Sequence, residues 1–288
     1  MAFTESEFFS HLPGDTPSRA AIRPHAISNS LEKNFHPNGD PKSAYVIFTS
    51  VPPETIQRLI HYPHQYIILS KRLFYNEDLR TLIVKMPWRA HITAIEEFKS
   101  LIHRNLFHNP ARHGLSMLGH TTYEIPPFAK EADDSYAPRR VLEEWPTMVI
   151  EVGRSDCLDR LRFEANWWLV RSDGVVRIAI IIVVNHDHPE IVFEMWQRPA
   201  SQPEHSHALR SLTPQVTKTQ EVRISRCGND TVTVGAPLTI RLEDVLLRAP
   251  PGDERGFVFT AEKLEYVAHF VWETQGFIPL SDINLQGE

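Results

Sequence analysis

The clearest alternation of apolar and polar positions lies between residues 145 and 185. An apolar run (Met148, Val149, Ile150) ends in a single acid, Glu151, then Val152-Gly153 and, one residue on, Ser155. In the stretch that follows, Leu158, Leu161, Ala165, Trp168 and Leu169 recur at helical spacing. After the Ser172-Asp173-Gly174 turn, residues 175–184 are mostly β-branched and, Arg177 apart, apolar. Such a run is expected of a strand covered on both faces. Strand, helix and strand at this spacing predict a βαβ-like unit, with a site expected at the mouth of its first strand. The plain alternative is that Glu151 merely ends a strand.

Around this unit the pattern predicts a helix over 53–61 and two strands, 66–75 and 79–85, joined at Asn76-Glu77-Asp78. Ile92, Ile95, Phe98, Ile102 and Leu106 recur at three and four, which predicts a helix from about Arg89 to Phe107. Residues 115–125 are read as one strand ending at Pro126-Pro127, and 133–137 as a short extended piece. Residues 191–197 should hairpin onto 175–184, and 221–225 onto 231–234. Thr260 caps a helix to Glu273 with Leu264, Val267, Ala268 and Val271 on one face. The proline-rich residues 1–44 are expected to be a loosely ordered arm with a short helix near Glu5 to Leu12. Residues 45–288 are expected to form a single α/β domain.

At 288 residues the chain can bury one large core, and 42% hydrophobic with 23% charged residues is ordinary for a globular protein. No apolar run reaches membrane-spanning length, and residues 1–44 lack an apolar signal core. An intracellular, cytoplasmic protein without membrane contact is therefore expected. Only two cysteines are present, without a CxxC pair, which excludes a cysteine zinc site. A net charge of −6 speaks against a surface that grips nucleic acid everywhere, yet leaves room for a local basic groove. His186-Asp187-His188 and His205-Ser206-His207 could chelate a metal on a strand but fall in predicted turns.

Four segments carry a resemblance. They are Met86-Pro87 with His91, residues 133–138 (Asp-Asp-Ser-Tyr-Ala-Pro), Trp145 to Gly153 with Ser155, and Trp167-Trp168-Leu169 with Ser172 and Gly174. In order and spacing they resemble the PD-(D/E)XK nuclease-like superfamily. More closely, they resemble a fungal group related to the Uma-type restriction-endonuclease-like family. The resemblance implies a restriction-endonuclease-like α/β fold, a mixed central sheet flanked by helices with added hairpins. It also implies an Asp and a Glu that hold magnesium or manganese, and a lysine that orients the attacking water. Asp134 matches the Asp, with Asp133 its rival, since adjacent strand residues face opposite ways. Glu151 matches the Glu. Where the lysine belongs stands Gly153, and Arg160 and Arg162 are the cations expected in range, although arginine is a poor base.

Two functions are therefore expected. In the first, the eroded scaffold binds an apolar small molecule without any cofactor and promotes a cyclisation or isomerisation, a pericyclase-like step in fungal secondary metabolism. Trp88, Trp145, Trp167 and Tyr136 would line its cleft. In the second, Asp134 and Glu151 hold magnesium or manganese, with Arg160 or Arg162, to cleave nucleic acid. A non-enzymatic interaction protein is the third reading.

Overall fold

The computed structural model describes residues 4–36, 39–66, 71–107, 109–139, 145–198, 216–249, 252 and 256–279. In chain order the elements are α1 (Glu5–Phe9), β1 (Ser18–Ala20), α2 (Pro24–Glu32), β2 (Tyr45–Thr49), α3 (Pro53–His61), β3 (Arg72–Asn76) and β4 (Thr81–Lys85). Then come α4 (Arg89–Phe107), β5 (Leu115–Met117), β6 (Thr122–Ile125), β7 (Phe128–Glu131), β8 (Asp134–Pro138), β9 (Met148–Arg154), α5 (Leu158–Arg171) and β10 (Ile178–Val184). The remainder is β11 (Glu190–Gln197), β12 (Thr217–Cys227), β13 (Asp230–Val234), β14 (Leu238–Ile240), α6 (Leu242–Leu246), β15 (Phe257–Phe259) and α7 (Ala261–Gln275).

Thirteen of these strands form two large sheets, and β14 pairs with β15 alone. One runs β13-β12-β11-β10-β9-β8-β5 and the other β1-β2-β4-β3-β7-β6. In the first, β9 and β10 are parallel, joined through α5 as the 145–185 pattern predicts, and their neighbours are antiparallel. The mixed central sheet flanked by helices that is expected of a restriction-endonuclease-like chain is thus present. Alternation along β9 sorts its side chains. Met148, Ile150 and Val152 face a core shared with α4 and α7, while Val149 faces one shared with α5 and the second sheet.

Two expectations of order are corrected. Residues 4–36 are not a loose arm. Thr4 and Glu7 form a capping box, Phe8 is fully buried against Phe74, β1 pairs in parallel with β2, and Ile27 and Leu31 are buried. Apolar residues at helical spacing outweigh the prolines, which stand at the first helical turn or between elements. Residues 115–125 are not one strand. The chain turns at Gly119, whose φ is +60°, so β5 joins the first sheet and β6 the second.

The passage between sheets positions the site. β7 lies in the second sheet and β8 in the first, separated only by Ala132 and Asp133. At this seam Asp133 takes over part of the ladder. Its amide donates to the Ile150 carbonyl, and its carboxylate Oδ2 accepts from the Val152 amide at 2.8 Å.

Candidate functional site

Register decides which acid meets Glu151. Asp134 is opposite Ile150 and Ser135 opposite Val149, so one further step sets Asp133 opposite Glu151 on the same face. Asp134 and Tyr136 therefore point to the other face, toward α4. The structure brings together Glu151 and Asp133 and leaves Asp134 apart. Burial raises the pKa of Asp134, against a hydrogen bond from the Tyr136 hydroxyl.

Between the two acids stands Lys85, the last residue of β4. Its Nζ is 2.7 Å from Asp133 Oδ2 and 2.7 Å from Glu151 Oε2. Asp133 Oδ1 accepts from His91 Nε2 at 2.9 Å and pairs with Arg72 at 3.2 Å. Glu151 Oε1 accepts from the Trp168 indole at 2.9 Å and lies 3.5 Å from Lys130 Nζ. Lys130 in turn meets Glu164 at 3.0 Å, and Arg160 meets the other oxygen of Glu164 at 2.9 Å. Arg160 also donates to the carbonyls of Phe8 and Ser10, so the chain of charges runs from the seam to the N-terminal segment.

Electrostatics follows from this packing. Burial opposes the charge on Asp133, yet His91, Lys85 and Arg72 hold its carboxyl well below the usual range. Burial likewise opposes the charge on Lys85, and the two acids raise its pKa well above the ordinary value. Glu164 is pulled to about 2 by Lys130 and Arg160 against its burial. Burial lowers the pKa of His91. A neutral His91 that gives its Nε2 hydrogen to Asp133 keeps Nδ1 as an acceptor.

The resemblance implies a divalent cation here, and these residues do not fit one. Three carboxylates (Asp133, Glu151, Glu164) meet four cations (Arg72, Lys85, Lys130, Arg160), so no surplus negative charge is left to draw a hard cation. The ammonium already occupies the space between the two acids. Among the described residues no group of three His, Cys, Asp or Glu could hold a metal.

The remaining expected residues fall elsewhere. Arg162 faces outward and pairs with Glu194 at 2.5 Å. Trp145 and Trp167 are buried and pack on each other with ring centroids 5.7 Å apart. Trp88 alone of the three tryptophans stands at an opening. It packs on His91 at 5.3 Å and lines two small adjoining depressions. One, of about 10 Å³, is lined by Tyr45, Lys85, Trp88, His91, Gly153 and Arg154 among others. The other, of about 50 Å³, is lined by Asp40, Pro41, Ala44, Trp88, Arg154 and His186. Roomier hollows lie away from the acids, one of about 380 Å³ along the outer face of α4 and one of about 180 Å³ beside Glu131. His205-Ser206-His207 lies outside the described residues.

Sequence reasoning missed Lys85, Lys130, Glu164 and Arg72. A signal was available for Lys85, the lone charge of a buried strand that is otherwise uncharged, Thr81-Leu82-Ile83-Val84-Lys85. A cation in such a place needs a partner. Gly153 has a packing reason. A Cβ there would come within 2.7 to 3.0 Å of the fully buried Leu161 side chain, so α5 sits where a lysine would have to start.

No protein-family model and no curated protein matches the sequence. Among solved structures, the chain is similar to one from Anabaena variabilis, described as a candidate nuclease belonging to DUF820. Identity is 11% and the TM-score 0.36, over 69% of this chain and 90% of that one. A likeness this remote carries no residue role to this chain.

Proposed function

We propose that this chain is a degenerate member of the PD-(D/E)XK nuclease-like superfamily, nearest in its motifs to the fungal Uma-related group, and that it binds a ligand without metal and without cleaving phosphodiesters. One observation carries this reading: Lys85 bridges Asp133 and Glu151 at 2.7 Å to each. A buried carboxylate pair already matched by an ammonium has lost its demand for a divalent ion. The test is manganese binding by electron paramagnetic resonance, together with DNA and RNA cleavage assays in magnesium and manganese. Neither binding nor cleavage is expected. Metal-dependent cleavage that disappears in Glu151→Ala would sink the reading.

The same lysine favours the nuclease as second reading, because it supplies the amine that position 153 lacks. That reading requires Lys85 to leave the acids when metal arrives. The cyclase or isomerase reading shares the metal-free site. Ligand pockets commonly measure about 300–1,000 Å³. The hollows beside the acids are far smaller, and Trp145 and Trp167 are spent on core packing.

A further inference from the structure

The seven-stranded sheet ends on β13, which is exposed along its length apart from the half-buried Thr233. The Gly228-Asn229 turn fixes which of its backbone groups are used. In a two-residue hairpin the flanking pair, Cys227 and Asp230, exchanges hydrogen bonds, and bonded pairs then alternate along the ladder. Asp230, Val232 and Val234 therefore bond back to β12, while the amides and carbonyls of Thr231 and Thr233 point outward. Among the described residues no further strand or loop backbone answers them. Such edges are usually guarded by lysine, proline or a bulge. β13 has none of these. It reads Asp-Thr-Val-Thr-Val, pairs with β12 in unbroken register, and leaves Val232 48% and Val234 63% exposed.

This edge fits itself. Laid antiparallel on a copy with Val232 at a two-fold axis, Thr231 falls opposite the partner's Thr233, and the converse. Both outward pairs then exchange two hydrogen bonds, and valine meets valine between them. Charge agrees with that register. The Thr233 hydroxyl donates to Glu265 of α7, which sets the threonines on the α7 face together with Arg226, the neighbour of Thr231 on β12. Among the described residues Arg226 forms no ion pair and gives a hydrogen to the Gly228 carbonyl. Across the axis it lies two strand spacings, about 10 Å, from the partner's Thr233, which brings the partner's Glu265 within its reach. We infer that β13 docks on β13 of a second copy of this chain and joins two seven-stranded sheets into one. A five-residue strand makes a small interface, so the pair forms reversibly. The inference does not depend on the reading of the acid site.

Sedimentation of the full chain, from low micromolar to submillimolar concentration, should show the mass rising from one chain toward two. Position is tested by cross-linking with diamide in a Cys227→Ser background. Val232→Cys places two thiols at the axis, where facing residues lie about 4.5 Å apart at Cα, within disulfide reach. Val234→Cys faces the partner's Asp230 instead, four residues of strand from its own counterpart. The first variant should therefore link at least about tenfold faster than the second. Val232→Lys sets like charges face to face and should weaken self-association at least about tenfold with unchanged circular dichroism. Arg226→Glu should weaken it too, and adding Glu265→Arg should restore it. A chain that stays a monomer at every concentration overturns the proposal and leaves the edge to a strand of another protein. Equal linking at positions 232 and 234, or native self-association in folded Val232→Lys, overturns it by assigning the dimer to another face.

Discussion

The ammonium of Lys85 stands 2.7 Å from Glu151 Oε2, although 66 residues separate the two along the chain. Neither strand carries a reason for the other's charge. The second sheet delivers β4 end-on to the seam where β8 meets β9, and only there does each charge find its counterpart.

Removing the amine from this pair leaves Asp133 and Glu151 facing each other in the interior. Lys85→Met should therefore lower unfolding free energy by about 3–5 kcal/mol, measured in urea. Adding Glu151→Gln should return part of that loss, and the double-mutant cycle reports the coupling. Lys85→Met should also gain manganese binding, which is not expected of the native chain. A variant that is fully stable would show that the bridge contributes nothing.

Acid should weaken the fold in a defined window. Glu164 has a folded pKa of about 2 against an ordinary 4.5. The unfolded chain thus binds its proton first, and the stabilisation from Glu164, present above 4.5, is lost as pH falls toward 2. At about 1.4 kcal/mol per pKa unit this amounts to about 3 kcal/mol. Asp133, also depressed, adds a loss of the same sign.

Glu131 acts in the opposite sense. Burial raises its pKa to about 7, so the folded chain holds the proton longer than the unfolded one. Its contribution is complete below 4.5 and is lost as pH rises to 7. Thermal unfolding of Glu131→Gln should lack the decline between those values that the native chain shows.

Arg160 ties the N-terminal segment to the charge network through the carbonyls of Phe8 and Ser10. Arg160→Met keeps most of the apolar stem but frees both carbonyls and one oxygen of Glu164. Faster amide exchange over residues 4–12 is expected, with β9 unaffected. Uniformly faster exchange would mean that the whole domain, and not this tether, had loosened.

Restoring a lysine at position 153 should not rebuild a nuclease. Gly153→Lys places Cβ against Leu161 and is expected to cost about 1–3 kcal/mol from overpacking. Chemical denaturation measures that cost, and a metal-dependent cleavage assay should stay silent.

The chain alone determined its βαβ unit, the long helices and most hairpins, because apolar periodicity is a local property that each stretch expresses by itself. It also singled out Glu151, the acid that interrupts an apolar run. Which aspartate would join it was undecidable at that level. Asp133 and Asp134 are chemically alike, and a shift of one residue in register exchanges their faces. The lysines were hidden for a related reason. Lys85 and Lys130 lie in separate strands of another sheet, and no spacing rule links them to Glu151. Their partnership arises only when two sheets close on one another and exclude water, so that every buried charge has to be answered by whichever opposite charge the fold has brought within reach.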